Sequence, residues 1–225
     1  MDLPIIYEDT NVVAVNKPTG LIVHADGRTN EPTAEEWFIG RYGRKGGYVH
    51  RLDRDTSGVL VFAKNEQAYN FLRKAFHDRD VKKTYLALVH GVLKEKKGII
   101  DFDIGRSRKD FRLRSAQPKA KGRLRDAITH YEVVGEISDA SLLKLQPETG
   151  RTHQIRVHLK AIHHPVIGDA LYAPHQKLLY GLTRLALHAS TLDLPLPSGG
   201  RILITAPLPE DLTAAFAHIA APPMS

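Results

Sequence analysis

Apolar runs of strand length outnumber amphipathic helices along this chain, and they follow one another in no regular alternation. That order argues against a simple alternating parallel fold. It predicts an α+β protein built on a central, mostly antiparallel mixed sheet with flanking helices. Val59-Leu60-Val61-Phe62-Ala63 is the plainest such run, entered through the turn residues Thr56-Ser57-Gly58. Further strands are expected at 7–15, 84–89, 127–134, 141–146, 184–194 and 201–206. Lys17-Pro18-Thr19-Gly20 closes the first of them, because proline cannot continue a ladder and glycine permits a turn. A helix is expected over 31–42, with Pro32 in its first turn. Asn65 reads as the cap of a second, with Ala68, Phe71, Leu72, Ala75 and Phe76 along one face. A third, over 152–162, buries Ile155, Leu159 and Ile162.

No repeat or long linker divides the 225 residues, so a single domain spanning 1–225 is expected. Cysteine is absent, which excludes disulfide scaffolds, thiolate metal sites and cysteine nucleophiles. No apolar run approaches the roughly 18 residues of a membrane span. The start, MDLPIIYEDT, lacks the basic and apolar pattern of a signal peptide. A cytoplasmic protein away from membranes is the expectation.

Charge is distributed unevenly. The formal net charge is +7, and the stretch from Arg106 to Arg125 holds nine basic residues against one acid, Asp110. The rest of the chain is close to neutral. A concentrated excess of this kind points to a polyanionic partner, although a solvated loop would show the same composition. With few apolar residues and with Pro118 and Gly122 inside it, the stretch is expected to leave the sheet as a mobile arm.

Two clusters can carry chemistry. His50-Arg51-Leu52-Asp53-Arg54-Asp55-Thr56-Ser57-Gly58 leads directly into the apolar strand, so its side chains project from a rigid strand end. Asp53 stands between Arg51 and Arg54, and neighbouring cations keep a carboxylate ionised and nucleophilic. On local chemistry alone, Asp53 or Asp55 could equally cap the turn. The second cluster, Gly150-Arg151-Thr152-His153-Gln154-Ile155-Arg156-Val157-His158, opens a helix whose N-terminus and Arg151 suit an anion. His153 and His158 stand five apart rather than at the i, i+4 spacing of helical zinc ligands, with only Glu148 and Asp169 as nearby acids. Neither a metal nor a cofactor site is expected.

The first cluster, HRLDRDTSG, resembles the signature of the RluA family of pseudouridine synthases. Four other motifs of that family follow its order: Asn16-Lys17-Pro18-Thr19-Gly20-Leu21, Lys82-Lys83-Thr84-Tyr85-Leu86-Ala87, Thr149-Gly150-Arg151-Thr152-His153-Gln154-Ile155-Arg156 and Pro165-Val166-Ile167-Gly168-Asp169. The resemblance covers roughly residues 5–207. It implies the pseudouridine synthase core and a cofactor-independent isomerisation of uridine in structured RNA, most simply 23S rRNA with a tRNA anticodon stem-loop as a second target.

By the same resemblance, Asp53 is the catalytic aspartate, Tyr85 the tyrosine that stacks on the base and assists proton transfer, and Arg151 the basic residue that pairs with the aspartate. Arg51 is the arginine that helps displace the target nucleotide. His50, Arg106, Arg108, Lys109, Arg112, Arg114, Lys119, Lys121 and Arg156 complete the expected RNA contacts. Only 16 residues precede Lys17, so the S4 RNA-binding domain of many relatives is expected to be missing, and the enzyme to act as a monomer. Two other readings remain open on the residues. A non-catalytic RNA-binding factor would need the basic stretch but not the Asp53–Tyr85–Arg151 set. A hydrolase would use Asp53 and Asp55 as a pair of carboxylates.

Overall fold

The computed structural model describes residues 1–25, 27, 30–107, 113–116 and 121–220. Its elements run β1 (Ile5–Glu8), β2 (Val12–Lys17), α1 (Ala34–Tyr42), β3 (Gly47–Tyr48), β4 (Ser57–Ala63), α2 (Glu66–His77), β5 (Lys82–His90) and β6 (Lys97–Asp101). There follow β7 (Ile104–Arg106), β8 (Arg114–Ser115), β9 (Lys121–Arg125), β10 (Ile128–Ile137), β11 (Ala140–Pro147), α3 (Gln154–Ala161), β12 (Leu187–Pro195), β13 (Arg201–Thr205) and α4 (Glu210–Ala220). The chain divides into two compact units, Met1–Lys83 with His188–Pro207 and Thr84–Leu187 with Leu208–Ser225. Both are sheets with flanking helices, the α+β class the sequence predicts.

In the first unit the strand order is β1-β2-β4-β12-β13, with β3 also on β4. β4 runs antiparallel to β2, from Val12↔Ala63 to Lys17↔Gly58, and parallel to β12 at His188↔Ser57 and Ala189↔Gly58. Every residue of β4 is buried. The apolar run from Val59 to Ala63 is what a strand covered on both faces requires. Val59 and Val61 pack with Ala68 and Leu72 of α2, while Phe62 stacks on Phe38 of α1 at 4.8 Å.

The cap at Asn65 is as predicted: its side chain accepts a hydrogen bond from the Ala68 N–H at 2.9 Å. Phe71 departs from the predicted buried face and is 40% exposed, because the face turns past it toward Leu72 and Ala75. The first expected strand is instead a hairpin. The Asp9 carboxylate accepts from the N–H groups of Asn11 and Val12, both at 2.7 Å, and folds 7–15 back on itself. α1 begins three residues later than expected, since Thr33 and Glu36 form a reciprocal capping box and leave Pro32 outside the helix.

In the second unit β5, β11, β10 and β6 pair antiparallel in that order. Leu88, Leu143, Leu145, Ile155, Leu159, Leu212 and Phe216 share its core. β6 and α4 were not expected from the sequence. β6 is short, with Gly98 as its second residue, and α4 is an alanine-rich segment after Pro207 and Pro209. The basic stretch departs most from expectation. Its described residues form a separate three-stranded sheet, β8-β7-β9, rather than an unstructured arm. Ile104, Ala127, Val157 and Tyr172 make a small core beneath it, joined by Leu113 and Ala116. Among the described residues no helix is long and apolar enough to cross a membrane.

Candidate active site and RNA-facing residues

The aspartate-bearing turn is held from below by a lysine. Lys17, at the end of β2, is fully buried, and its ammonium donates to the carbonyls of Pro18 (2.9 Å), Leu21 (2.7 Å) and Arg54 (3.0 Å). Burying an ammonium is costly unless its protons are spent, and here three carbonyls take them. Thr19 adds a hydrogen bond from its hydroxyl to the Asp55 carbonyl at 2.9 Å. The Asn-Lys-Pro-Thr-Gly-Leu segment is thereby tied to both residues that follow Asp53.

Within the turn the side chains alternate. Arg51 is exposed, Leu52 is buried, Asp53 is half-buried, and Arg54 reaches out to Glu31 at 2.8 Å. The Asp53 carbonyl accepts from the Thr56 N–H, which closes the turn. Ser57 then donates its hydroxyl to His188 Nδ1 at 2.9 Å, since His188 Nε2 faces the Ala206 carbonyl as donor. Gly58 has φ +118°, and a Cβ there would lie 2.1 Å from the Ala189 carbonyl oxygen. Glycine at this point lets β12 run close beside β4.

His50 takes a duty other than the expected RNA contact. Its Nε2 accepts from the Val61 N–H at 3.0 Å, and its ring stacks on Phe76 at 4.8 Å. Burial, with Lys83 adding to it, pushes its pKa down to about 3. Burial likewise lowers Lys83 to about 8, helped by Arg79. The sign for His50 follows directly: the folded state refuses a proton that the unfolded chain accepts below about 6.5. Its contribution is therefore complete above that pH and is lost as pH falls from about 6.5 toward 3. Denaturant unfolding across that range should show a loss of up to ~1.4 kcal/mol per pH unit from this residue. His50→Gln should flatten the slope. A variant as acid-sensitive as the parent would show that folded His50 binds a proton as readily as the unfolded chain does.

The second unit presents the other cluster. Thr149 donates to Gln154 Oε1 at 2.6 Å, and the Arg151 N–H donates to the same oxygen at 3.0 Å. Gln154 Nε2 donates in turn to the Ile128 carbonyl and to Thr129 Oγ1, both at 3.0 Å. This buried glutamine fixes the backbone that carries Arg151. The Arg151 guanidinium donates to the Asp126 carbonyl at 3.0 Å and to its carboxylate at 2.9 Å. Neither Gln154 nor Asp126 was singled out from sequence. The Thr-Gly-Arg-Thr-His-Gln motif was the available signal for the first, and nothing local signals the second.

Arg156 is not an RNA contact: it is 3% exposed, and its guanidinium donates to both Asp169 oxygens at 2.8 and 2.6 Å. A phosphate does not reach a guanidinium so enclosed. Asp169 Oδ1 also accepts from the N–H groups of Leu171 and Tyr172. That multiple use accounts for the acid that ends the Pro-Val-Ile-Gly-Asp motif. His153 and His158 are likewise engaged, His153 with the Tyr172 hydroxyl at 2.7 Å and His158 with Thr129 and the Phe102 carbonyl, each at 3.0 Å. Tyr85 lies on β5 opposite Leu145, half-buried against the core of this unit.

Of the basic stretch, Arg106 and Arg114 face each other across β7 and β8, and Arg106 also stands opposite Lys121 of β9. Like charges directly opposite destabilise an isolated sheet, so the Arg106–Arg114 pair suits an anionic partner. The sheet is fastened at Tyr172, whose hydroxyl accepts from the Arg114 N–H at 3.0 Å. Arg108, Lys109, Arg112 and Lys119 lie outside the described residues.

This architecture is shared with solved RNA-modifying enzymes. Human RNA Pseudouridylate Synthase Domain Containing 1 matches with a TM-score of 0.78 at 29% identity, over 95% of this chain and 87% of that one. Human RNA Pseudouridylate Synthase Domain Containing 4 does so with the same score at 27%, over 97% and 94%. The chain belongs to the RNA pseudouridylate synthase family, whose model matches residues 11–161, and it is accordingly an isomerase acting on RNA. Curated relatives agree. The uncharacterized RNA pseudouridine synthase YlyB of Bacillus subtilis is 39% identical, covering 94% of this chain and 71% of that protein. Ribosomal large subunit pseudouridine synthase D of Nitrosomonas europaea is 40% identical, covering 94% and 64%.

Proposed function

We propose that this enzyme converts specific uridines of 23S rRNA to pseudouridine, with a tRNA anticodon stem-loop as a second target, and that Asp53 carries the chemistry. The observation that supports the aspartate most is its mount. The turn between Arg51 and Arg54 is tied down by a buried lysine and runs into a fully buried strand. Such a carboxylate is held in place by a rigid mount. The rRNA assignment is supported by relatives named ribosomal large subunit pseudouridine synthase D.

In the reaction the bond from the ribose anomeric carbon to N1 breaks and a bond to C5 forms. The C5 proton leaves and N1 gains one, so no atom is lost and no oxidant is needed. Asp53 either attacks the anomeric carbon or takes the 2′ proton. Tyr85 stacks on the base and serves the proton transfer, Arg151 supplies the cation of the site, and Arg51 helps displace the nucleotide, which must leave its stack to be reached. Arg106, Arg114 and Lys121 hold the backbone, and the enzyme works as a cytoplasmic monomer.

Pseudouridine mapping across total RNA tests the target. A strain lacking this protein should lose at least one 23S rRNA site, and re-supplying the protein should restore it. Loss of sites in tRNA alone would move the assignment to tRNA, and loss in neither RNA would overturn it.

A further inference from the structure

The strand that ends the basic sheet leads straight into the acid that holds Arg151. Arg123, Leu124, Arg125, Asp126 and Arg151 line one cavity of about 290 Å³ within the second unit. Arg123 and Arg125 are two apart on β9 and both are exposed. Residues at that spacing on a strand lie on the same side of it. Asp126 is the cavity's only acid against three guanidinium groups, and its side chain is 59% exposed. Among the described residues no carboxylate pairs with Arg123 or Arg125. The cavity therefore carries a net charge of about +2 on its side-chain inventory.

Its walls are fixed from behind. The Arg151 backbone is held by Gln154, and Ala127, next to Asp126, is fully buried. Arg151 thus enters from a rigid loop and the other two guanidiniums from a sheet.

We propose that this cavity is a phosphate subsite that receives one phosphodiester of the RNA strand, with the Asp126 carboxylate occupying the phosphate's place in the free protein. A phosphate accepts from a guanidinium N–H as a carboxylate does, so one takes the other's place on Arg151 Nη2. The Asp126 carboxylate holds Nη2, while Nε is kept by the Asp126 backbone carbonyl and stays there when the side chain leaves. When the phosphate enters, Asp126 swings out to solvent, and Arg123 and Arg125 close on the remaining oxygens. The subsite rests on the RNA-modifying reading above. It adds a place where the strand is gripped by charge and not by base identity.

The test is a set of salt titrations of RNA binding with the full-length protein, run beside a pseudouridine assay on the same wild-type sample. R123Q/R125Q should bind about tenfold more weakly, the loss of charge-assisted hydrogen bonds to one phosphate. Its slope of log affinity against log salt should be shallower by about 0.7, the value for one phosphate of a single strand. D126N should bind more tightly than wild type, because it removes the carboxylate that competes. A melting curve that stays at the wild-type position shows that each variant is folded. An unchanged slope in R123Q/R125Q, or weaker binding in D126N, overturns the subsite. Inorganic phosphate separates the two sources of the same chemistry. If it raises the wild-type melting temperature and not that of R123Q/R125Q, while the RNA slope is unchanged, the site takes free phosphate and the RNA proposal fails. The pseudouridine assay reports separately: a wild-type protein that binds but makes no product from the RNA refutes the target, while the slopes still judge the cavity.

Discussion

Asp53→Asn is expected to lower pseudouridine formation by about 10⁴-fold or more, the scale seen when a reacting side chain is removed from an enzyme. Asparagine has the same shape, so the turn should survive. The hydrogen bond that closes it is accepted by the Asp53 carbonyl, which the substitution keeps. The clamp from Lys17 goes to the Arg54 carbonyl and is also untouched. RNA affinity should therefore stay within a few-fold of wild type and the melting temperature should not fall. Carbodiimide labelling of product RNA reads the chemistry, and a filter or polarisation titration reads the binding. Turnover within tenfold of wild type would remove Asp53 from the mechanism. Equal loss of binding and turnover would make it a structural or contact residue.

Lys17→Met should produce the largest loss of stability. Methionine fills much of the same volume but leaves the carbonyls of Pro18, Leu21 and Arg54 without their donor. At about 1 kcal/mol for each acceptor left dry, the cost is about 3 kcal/mol. In a chain of this size that lowers the melting temperature by about 6–12 °C. Activity should fall further than the folded fraction does, because the same carbonyls position the turn that carries Asp53. A variant that melts with wild type would mean that water replaces the ammonium and that the clamp has little weight. Lys17→Arg offers a second reading: the planar guanidinium keeps the charge but cannot point three donors inward from one atom, so it should rescue charge and not stability.

How far the sequence reaches depends on the range of the interaction concerned. The cap at Asn65 and the double burial of β4 were legible because each is written within a few consecutive residues. The turn at Asp53 was legible for the same reason: its polar cluster abuts its strand. The Asp9 turn is also local, but its two N–H acceptances look like ordinary polar residues in a strand edge until the chain is seen to reverse.

Arg156 and Arg151 belong to one motif, five residues apart, and both carry the same group. Only their partners separate them. Asp169 buries Arg156 from 13 residues away, while Asp126 meets Arg151 from 25 residues away at the surface. Neither distance leaves a periodic mark. His50 was read as an RNA contact from its place in the HRLDRDTSG cluster, whereas in the structure its ring meets a Val61 amide and a Phe76 ring. The three-stranded sheet was missed because, apart from Ile104 of β7, its buried hydrophobic support comes from outside it, from Ala127, Val157 and Tyr172.

The facing pair of Arg106 and Arg114 in that small sheet ties the protein's stability and its proposed RNA contact to the salt in its medium. Mobile ions screen the repulsion within the pair, so added salt makes the unliganded sheet more secure. The same ions compete for RNA, so added salt loosens the complex. One reagent thus pushes the two equilibria in opposite directions. Under the proposed backbone contact, nucleic acid relieves the facing cations at low ionic strength, and the solution relieves them at high ionic strength. The sheet would then act as a small ionic gauge, in which the repulsion within the empty protein is part of its attraction to RNA.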